Sequence, residues 1–211
     1  METILFTQFD LTGLDETFGL EQVFDSKALA EWLSQTPELS EYQIQSARHL
    51  RELLRLNVSG WNEQELSLHF LSLIFSLIAI SSKKYNLFAE RQITGWVGDY
   101  ILTGRLDGMV ASGYREPKVP FFAFQEYKKE KDPNGNPAAQ ALGAMLVGQA
   151  LNQGHDHPVY ECYVIEQNWY FMILDGKQYA ISPAQSALTN DIFDILRALK
   201  NLKSAVERLV G

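Results

Sequence analysis

The spacing of apolar residues changes near residue 80, and this change limits the possible folds more than any other feature. Between residues 40 and 80, apolar residues recur every three or four positions, which predicts helices over 40–56 and 63–80. After residue 90, shorter apolar runs alternate with polar residues and are separated by Gly, Pro and Asn, which predicts strands. The predicted strands cover residues 91–97, 100–111, 121–129, 159–166, 169–174 and 178–181.

Three further helices complete the prediction. Ser26 is a suitable N-cap for a short helix over 27–33, and Pro137 suits the first turn of a helix over 138–152. Apolar residues at helical spacing predict a terminal helix over 187–210, whereas residues 4–24 read as irregular or weakly extended. The order of elements predicts an α/β fold with one mixed β-sheet flanked by helices. We expect a single domain over 1–211, with an N-terminal helical extension over 1–60 and a core over 61–211.

Charge and composition narrow the classes of function. The net charge of −8 argues against a protein that coats nucleic acid by electrostatics alone. Residues 1–60 hold 4 basic and 10 acidic residues, whereas residues 83–131 hold 9 basic and 6 acidic residues. Because the sequence lacks a signal segment and a long apolar stretch, we expect a soluble, cytoplasmic protein that does not enter a membrane. The single cysteine, Cys162, excludes an internal disulfide.

The third predicted strand ends in two charged residues. Phe122, Phe124, Glu126 and Lys128 are two positions apart, so a regular strand would direct all four side chains to one face. Burying charge beside apolar surface costs several kcal/mol unless the charges are compensated. We therefore expect the carboxylate and the ammonium to act together, with a metal ion as the natural partner.

A second carboxylate lies in the preceding strand. If this strand pairs with the next one so that Asp107 lies near Glu126, the two carboxylates come within reach of one cation, because paired strands are about 4.8 Å apart. Hard oxygen ligands suit Mg²⁺ or Mn²⁺, and the carbonyl of Tyr127 could add a further ligand. Lys128 could then hold or deprotonate a water, or stabilise charge on a phosphate oxygen.

These residues resemble a known family. The motif consists of Asp107, a gap of 18 residues and then Glu126-x-Lys128, and it lies between two predicted helices. This pattern looks like the PD-(D/E)XK nuclease superfamily. The wider pattern over residues 60–165, from the run beginning at Trp61 to the strand ending in Lys128, looks like an uncharacterised bacterial branch of it. The resemblance implies a restriction-endonuclease-like α-β-β-β-α-β core and metal-dependent cleavage of phosphodiesters. Leu106 stands where the superfamily's name has Pro.

The resemblance also implies an acidic ligand in the preceding helix. Glu63 shares a helical face with the apolar stripe and is preferred, whereas Glu65 could instead interact with the helix dipole. Related nucleases often carry Gln or Lys near the position of Gln140, which makes it a candidate for binding substrate. Arg105 and Lys129 are basic candidates beside the motif, although Lys129 fits a solvated strand end equally well.

Two classes of function remain open at this point. The first is a Mg²⁺- or Mn²⁺-dependent nuclease, in which Asp107, Glu126 and Glu63 hold the metal and Lys128 assists the attacking water. Its substrate would be nucleic acid, DNA in preference to RNA. The second is a catalytically silent module on the same fold that binds a protein partner, as the acidic N-terminal segment would favour. A homodimer is a third possibility.

Overall fold

The computed structural model describes residues 3–128 and 136–210, which form an α/β structure with one mixed sheet. Its strands are β1 (Thr3–Leu5), β2 (Glu21–Gln22), β3 (Tyr85–Val97), β4 (Tyr100–Ser112), β5 (Lys118–Lys128), β6 (Val159–Ile165), β7 (Asn168–Asp175), β8 (Gln178–Ile181) and β9 (Gln185–Ser186). Its helices are α1 (Leu11–Phe18), α2 (Lys27–Ser34), α3 (Glu41–Asn57), α4 (Glu63–Leu66), α5 (Ser72–Ile78), α6 (Pro137–Leu151) and α7 (Asp191–Val210). A 3₁₀ turn follows β1, and a π-helical segment over Ser67–Leu71 joins α4 to α5.

The sheet mixes antiparallel and parallel pairs. Strands follow the order β1-β4-β5-β6-β7-β8-β2, while β3 pairs with β4 and β9 pairs with β7. The β3–β4 hairpin turns at Gly98, whose φ of 59° is left-handed and favours glycine, as the Gly-Asp pair predicted. Strands β5 and β6 are parallel, and α6 connects them across one face. Parallel neighbours need such a crossover.

Helices cover both faces of the sheet and create two apolar cores. On one face, α2, α3, α5 and α7 pack around residues that include Phe70, Phe171 and Leu199. On the other face, α1 and α6 pack around residues that include Phe124 and Leu142. Helix α6 is buried all round from Pro137 to Gly148, as its Ala- and Gly-rich sequence allows. Within the described ranges, no helix has the length and apolar character to cross a membrane.

Capping residues fix the starts of the helices, and those of α2 and α6 agree with the sequence prediction. In α3, the side chain of Ser40 accepts a hydrogen bond from the backbone of Gln43, and the side-chain oxygen of Gln43 accepts one from the backbone N–H of Ser40. Ser26 caps α2 through the backbone of Leu29, and Pro137 opens α6. Each contact satisfies an N–H group that the first helical turn leaves unpaired.

The N-terminal segment departs from the prediction of irregular chain over 4–24. Strand β1 pairs in parallel with the Ile101–Thr103 stretch of β4, and β2 pairs in parallel with the start of β8. The segment between them forms α1, which Asp10 caps. Similarly, the terminal helix begins at Asp191 rather than at residue 187, because residues 185–186 pair with β7. Strands this short leave no periodic signal, since only their distant partners define them.

A bulge in β5 corrects the prediction that Phe122 shares a face with Phe124 and Glu126. The β4–β5 register shifts around Ala111, so Phe122 is an extra residue between two paired positions. As a result, Phe122 packs in the core of α5 and α7, whereas Phe124 packs under α6. A bulge reverses the alternation of side chains on the strand that carries it. Beyond the bulge, Phe124 and Glu126 are again two apart and lie on the α6 face.

The contact between Gly148 of α6 and the ring of Phe124 offers a test of this packing. A Cβ atom at Gly148 would lie 2.4 Å from the Phe124 ring. Although alanine suits a helix better than glycine by about 1 kcal/mol, overpacking a core costs about 1–3 kcal/mol. We therefore expect Gly148→Ala to lower the free energy of unfolding, as measured in urea. Gly60→Ala is the control, because its new Cβ would meet ordinary contact distances; equal stability of the two variants would contradict the packing.

Candidate functional site

A cleft of about 350 Å³ opens between the start of α4 and the ends of β4 and β5. Acidic side chains dominate its lining. The lining residues are Glu63, Gln64, Ser67, Ala89, Glu90, Asp107 and Tyr127. Three of these seven residues are carboxylates, so the cleft is suited to a cation rather than to an anion.

Asp107 lies where β4 breaks its regular alternation. Leu106 and Met109 pack in the same core although they are three residues apart, whereas a regular strand places on one face residues an even number apart. The Asp107 carboxylate accepts a hydrogen bond of 2.7 Å from the backbone N–H of Tyr127 on β5. This contact fixes Asp107 beside Glu126. Burial raises the pKa of Asp107, and the hydrogen bond and the Lys128 charge only partly offset this effect.

Strand β3 breaks at the same level. The β3–β4 pairing passes over Glu90 and Asp107, and Glu90 has a left-handed φ of 53°, which is costly for a residue with a side chain. The Glu90 carboxylate turns into the cleft and forms an ion pair of 2.7 Å with Arg105. Glu90 was not predicted from the sequence, because a kink in two paired strands leaves no trace in local spacing.

Glu126 is the buried acid of the site. It is 6% exposed, and its carboxylate lies 3.1 Å from the ammonium of Lys128. Burial raises the pKa of Glu126 to about 7, with a further contribution from the Asp107 charge, while Lys128 acts in the opposite direction. Burial alone would lower the pKa of Lys128, but the charge of Glu126 and its hydrogen bond outweigh this and raise it. The two carboxylates therefore hold more negative charge than Lys128 alone compensates.

The structure distinguishes the two candidate acids of α4. The Glu63 carboxylate lies in the cleft, 4.0 Å from the Lys128 ammonium. The Glu65 carboxylate instead accepts a hydrogen bond of 2.8 Å from the backbone of Asn62, whose side chain accepts one from the backbone of Glu65. Glu65 therefore belongs to a capping box, and only Glu63 reaches the motif. Contrary to the expectation that Glu63 points to the core, its side chain is half-exposed.

Tyr127 contributes its backbone to the site, and its side chain is anchored elsewhere. Its N–H binds Asp107, while its hydroxyl donates to the side-chain oxygen of Gln125 at 2.5 Å. The ring packs in the core of α5 and α7, on the side opposite Phe124. The backbone carbonyl is thus the group of Tyr127 that remains a candidate ligand.

The three candidates for substrate contact differ in position. Gln140 is in the first turn of α6 and is 9% exposed, with no hydrogen-bond partner for its amide among the described residues. Arg105 is largely exposed at the rim and is paired with Glu90. Lys129 lies outside the described residues. Of the three, only Gln140 is a buried polar group that lacks a partner.

Glu161 of β6 is a buried acid that the sequence reading missed. It is 2% exposed, and neither of its carboxylate oxygens has a hydrogen-bond partner in the part of the chain that the structure describes. It is the β6 partner of Phe124 and lies on the α6 face. Burial raises its pKa well above the ordinary value, and the charges of Glu126 and Asp107 add to the effect; the nearby backbone of Cys162 acts in the opposite direction and has the smallest effect. An acid within the apolar run of residues 159–165 was the available signal, by the reasoning applied to Glu126.

Few side chains of the site are already arranged as ligands for a metal ion. Across residues 3–128 and 136–210, no group of three or more His, Cys, Asp or Glu side chains is arranged to hold a metal ion. Asp107 and Glu126 therefore form a pair of neighbouring carboxylates, and Glu63 faces them across Lys128. Neither a protein-family model nor a curated protein matches the sequence.

The burial of Glu161 predicts how the free energy of unfolding depends on pH when EDTA is present to remove metal ions. A carboxyl whose pKa is raised in the folded state contributes its full stabilisation at pH values below its unfolded-state pKa of about 4.5. This stabilisation is lost as the pH rises toward the folded-state pKa. Glu161→Gln cannot ionise at this position. We therefore expect its free energy of unfolding, relative to that of the wild type, to increase between pH 4 and pH 8. Urea unfolding at several pH values measures the difference.

Glu16→Gln is the control for this experiment, because Glu16 lies at the surface of α1. Its difference from the wild type should change little with pH. If Glu161→Gln and Glu16→Gln follow parallel curves, Glu161 has a solvated or compensated carboxyl, and its assignment as an unpartnered acid is wrong.

Proposed function

We propose that this protein is a metal-dependent nuclease of the PD-(D/E)XK type that hydrolyses phosphodiester bonds in nucleic acid. The observation that carries the proposal is the proximity of Glu63, Asp107, Glu126 and Lys128, which come from three separate elements; Glu63 and Asp107 line the cleft, and Lys128 contacts both Glu63 and Glu126. A structural ion pair would need only Glu126 and Lys128. Two further carboxylates at the same point destabilise the site by repulsion, which is reasonable only if they bind a cation.

The order of elements supports a restriction-endonuclease-like core. The helix formed by α4, the π-helical segment and α5 is followed by β3, β4, β5, α6 and β6, which is the α-β-β-β-α-β order of that core. The proposed ligands also occupy corresponding parts of it. Glu63 begins the first helix, Asp107 lies in the second strand of the order, and Glu126-x-Lys128 ends the third.

The donor set fits Mg²⁺ or Mn²⁺. Asp107 and Glu126 offer hard carboxylate oxygens. The backbone carbonyl of Tyr127, the residue between Glu126 and Lys128, is a further candidate ligand. Burial is the main cause of the raised pKa values of both acids, and a bound cation would lower them by favouring the charged carboxylates. Mg²⁺ commonly binds through one or two carboxylates and keeps several waters, so a set of two side chains is sufficient.

A bound cation would supply positive charge to stabilise the phosphate as negative charge develops during hydrolysis. The chain's own groups would orient the reactants. The Tyr127 N–H holds Asp107 in place, and the Lys128 ammonium, 3.1 Å from Glu126, is close enough to hydrogen-bond a water or a phosphate oxygen beside the acids. Glu63 approaches Lys128 from the helix and limits where its ammonium can lie.

We expect two groups to contact the substrate. The amide of Gln140 can donate to a phosphate oxygen, which would satisfy a polar group that the fold leaves unpaired. The Arg105–Glu90 ion pair is exposed and therefore weak, so the guanidinium can exchange Glu90 for a phosphate. DNA remains the preferred substrate in this proposal.

A second candidate function has one observation in its favour. Because no three-ligand group is preassembled in the described ranges, Lys128 could compensate Glu126 permanently, as in a catalytically silent module that binds a protein partner. Such a module would bind no divalent cation at Asp107. Measurement of Mn²⁺ binding separates this candidate from the nuclease.

We expect the wild type to cut DNA in Mg²⁺ or Mn²⁺ and not in EDTA. Asp107→Asn and Lys128→Met keep the shape of each side chain but remove its charge, so each should reduce cutting by about a hundredfold or more. Asp107→Asn should also weaken binding of Mn²⁺, measured by electron paramagnetic resonance. Cutting that persists in EDTA or in both variants would reject the nuclease.

Substitution of the two acids of α4 tests which one belongs to the site. Glu63→Gln should weaken Mn²⁺ binding and slow cutting, because it removes the carboxylate that faces Lys128. Glu65→Gln should leave both unchanged, because Gln also completes a capping box. The same two measurements apply, with thermal unfolding to show that both variants are folded. Equal effects, or a larger effect of Glu65→Gln, would contradict the assignment of Glu63.

A further inference from the structure

A row of side chains crosses the sheet at the level of the proposed catalytic acid. Tyr163 is the β6 partner of Glu126, and Tyr170 is the β7 partner of Tyr163. Partners in adjacent strands direct their side chains to the same face, so Tyr163 and Tyr170 begin on the α6 face beside Glu126. Neighbouring strands lie about 4.8 Å apart, which places the two tyrosines one and two strands from the acid.

The hydroxyl of Tyr163 lacks the partner that a buried tyrosine normally has. Four tyrosines in the described part of the chain are exposed by 8% or less, and the hydroxyl groups of three of them are hydrogen-bonded. The three pairs are Tyr85 with Glu207, Tyr127 with Gln125, and Tyr179 with Asp15. Tyr163 is 7% exposed, and its hydroxyl has no hydrogen-bond partner among the described residues. The oxygen is not fully enclosed, so it keeps some contact with solvent.

The ring of Tyr163 is held firmly. It stacks on Tyr170 with ring centroids 4.6 Å apart and an angle of 7° between the planes. Burial, with a smaller contribution from Tyr170, raises the pKa of Tyr163, so the hydroxyl keeps its proton and acts as a donor. A buried ring with a reachable hydroxyl is a rigid hydrogen-bond donor, and it needs an acceptor from outside the fold.

We propose that Tyr163 is a substrate-positioning residue whose hydroxyl donates a hydrogen bond to a phosphate oxygen of nucleic acid, next to the phosphate that is cut. This inference rests on the proposed nuclease function, which supplies the neighbouring phosphate. An anionic oxygen is the acceptor that gains most from such a donor, because hydrogen bonds to charged groups are about twice as strong as neutral ones. The contact would fix the path of the strand from the cleft along the row of tyrosines.

Tyr163→Phe removes only the hydroxyl, and Tyr85→Phe is its matched control. The probes are two fluorescently labelled single-stranded DNA oligonucleotides of unrelated sequence, with binding measured by fluorescence anisotropy in Ca²⁺. We expect Tyr163→Phe to bind both oligonucleotides about tenfold more weakly, the loss typical of one hydrogen bond to a charged group. Tyr85→Phe should bind both like the wild type.

The melting temperature of each variant shows whether the hydroxyl that it lacks had a structural role. Tyr85→Phe breaks a bond to Glu207 and should lower the melting temperature, whereas Tyr163→Phe breaks no bond within the described chain and should not. Binding of Tyr163→Phe equal to that of the wild type would overturn the inference. Weaker binding of only one of the two sequences would also overturn it, because a phosphate contact is independent of sequence.

The outcomes separate this inference from the nuclease proposal. If the wild type binds both oligonucleotides but cuts neither in Mn²⁺, the nuclease proposal fails, while a tenfold loss in Tyr163→Phe still supports the phosphate contact. If the wild type cuts and Tyr163→Phe binds equally well, the nuclease proposal stands and the inference is rejected. If the wild type binds neither oligonucleotide, the phosphate contact is rejected.

Discussion

The burial of the Glu126 carboxylate at the end of β5 is the constraint on which the site depends. A carboxylate with 6% exposure beneath α6 would be strongly unfavourable alone, and Lys128 two residues further provides the first compensation. The same ammonium also approaches Glu63 on α4. The Lys128 ammonium therefore links the end of β5 to the start of α4, which packs on the opposite face of the sheet from α6. The cleft lies where these two elements meet, with Glu63 on one side and Tyr127 on the other.

Regular strands could not form this site. The coordinated break at Glu90 and Asp107 lets Asp107 accept the Tyr127 N–H, which a continuous ladder would use for backbone pairing. The left-handed conformation of Glu90 is the local energetic cost of that arrangement. Strain and irregular pairing that coincide with charged residues in this way are typical of a site where function outweighs stability.

Polar groups without partners cluster on the same side of the sheet. Glu161 and Tyr163 lie on β6 next to the strand of Glu126, and Gln140 opens the helix that covers this face. Other buried polar side chains are satisfied within the fold. For example, Asn152 donates to and accepts from the backbone of Phe121, and Asn201 donates to two carbonyls. Buried polar atoms without a partner also occur elsewhere in the described residues, such as the indole nitrogen of Trp169, but the α6 face near Glu126 combines a buried carboxylate with an unpaired hydroxyl.

The sequence by itself determined the types and order of the longer elements. Apolar spacing predicted α3, and alternation predicted β4 and β5, because the period of apolar residues is a local property of the chain. The sequence predicted Asp107 near Glu126 only on the condition that their strands pair at that level, and the β4–β5 register together with the Tyr127–Asp107 hydrogen bond meets this condition. Glu126 and Lys128 share a face for a local reason, since they are two residues apart beyond the bulge.

Only the tertiary structure decided the features that depend on distant partners. The pairing of β1 with β4 joins segments about one hundred residues apart, and no local pattern encodes it. The bulge that turns Phe122 away from Phe124 results from how β4 and β5 fit together. The choice between Glu63 and Glu65 followed from the cap at Asn62, and the burial of Glu161 followed from packing under α6. In each case the deciding energy is a contact across the fold, which residue spacing along the chain does not contain.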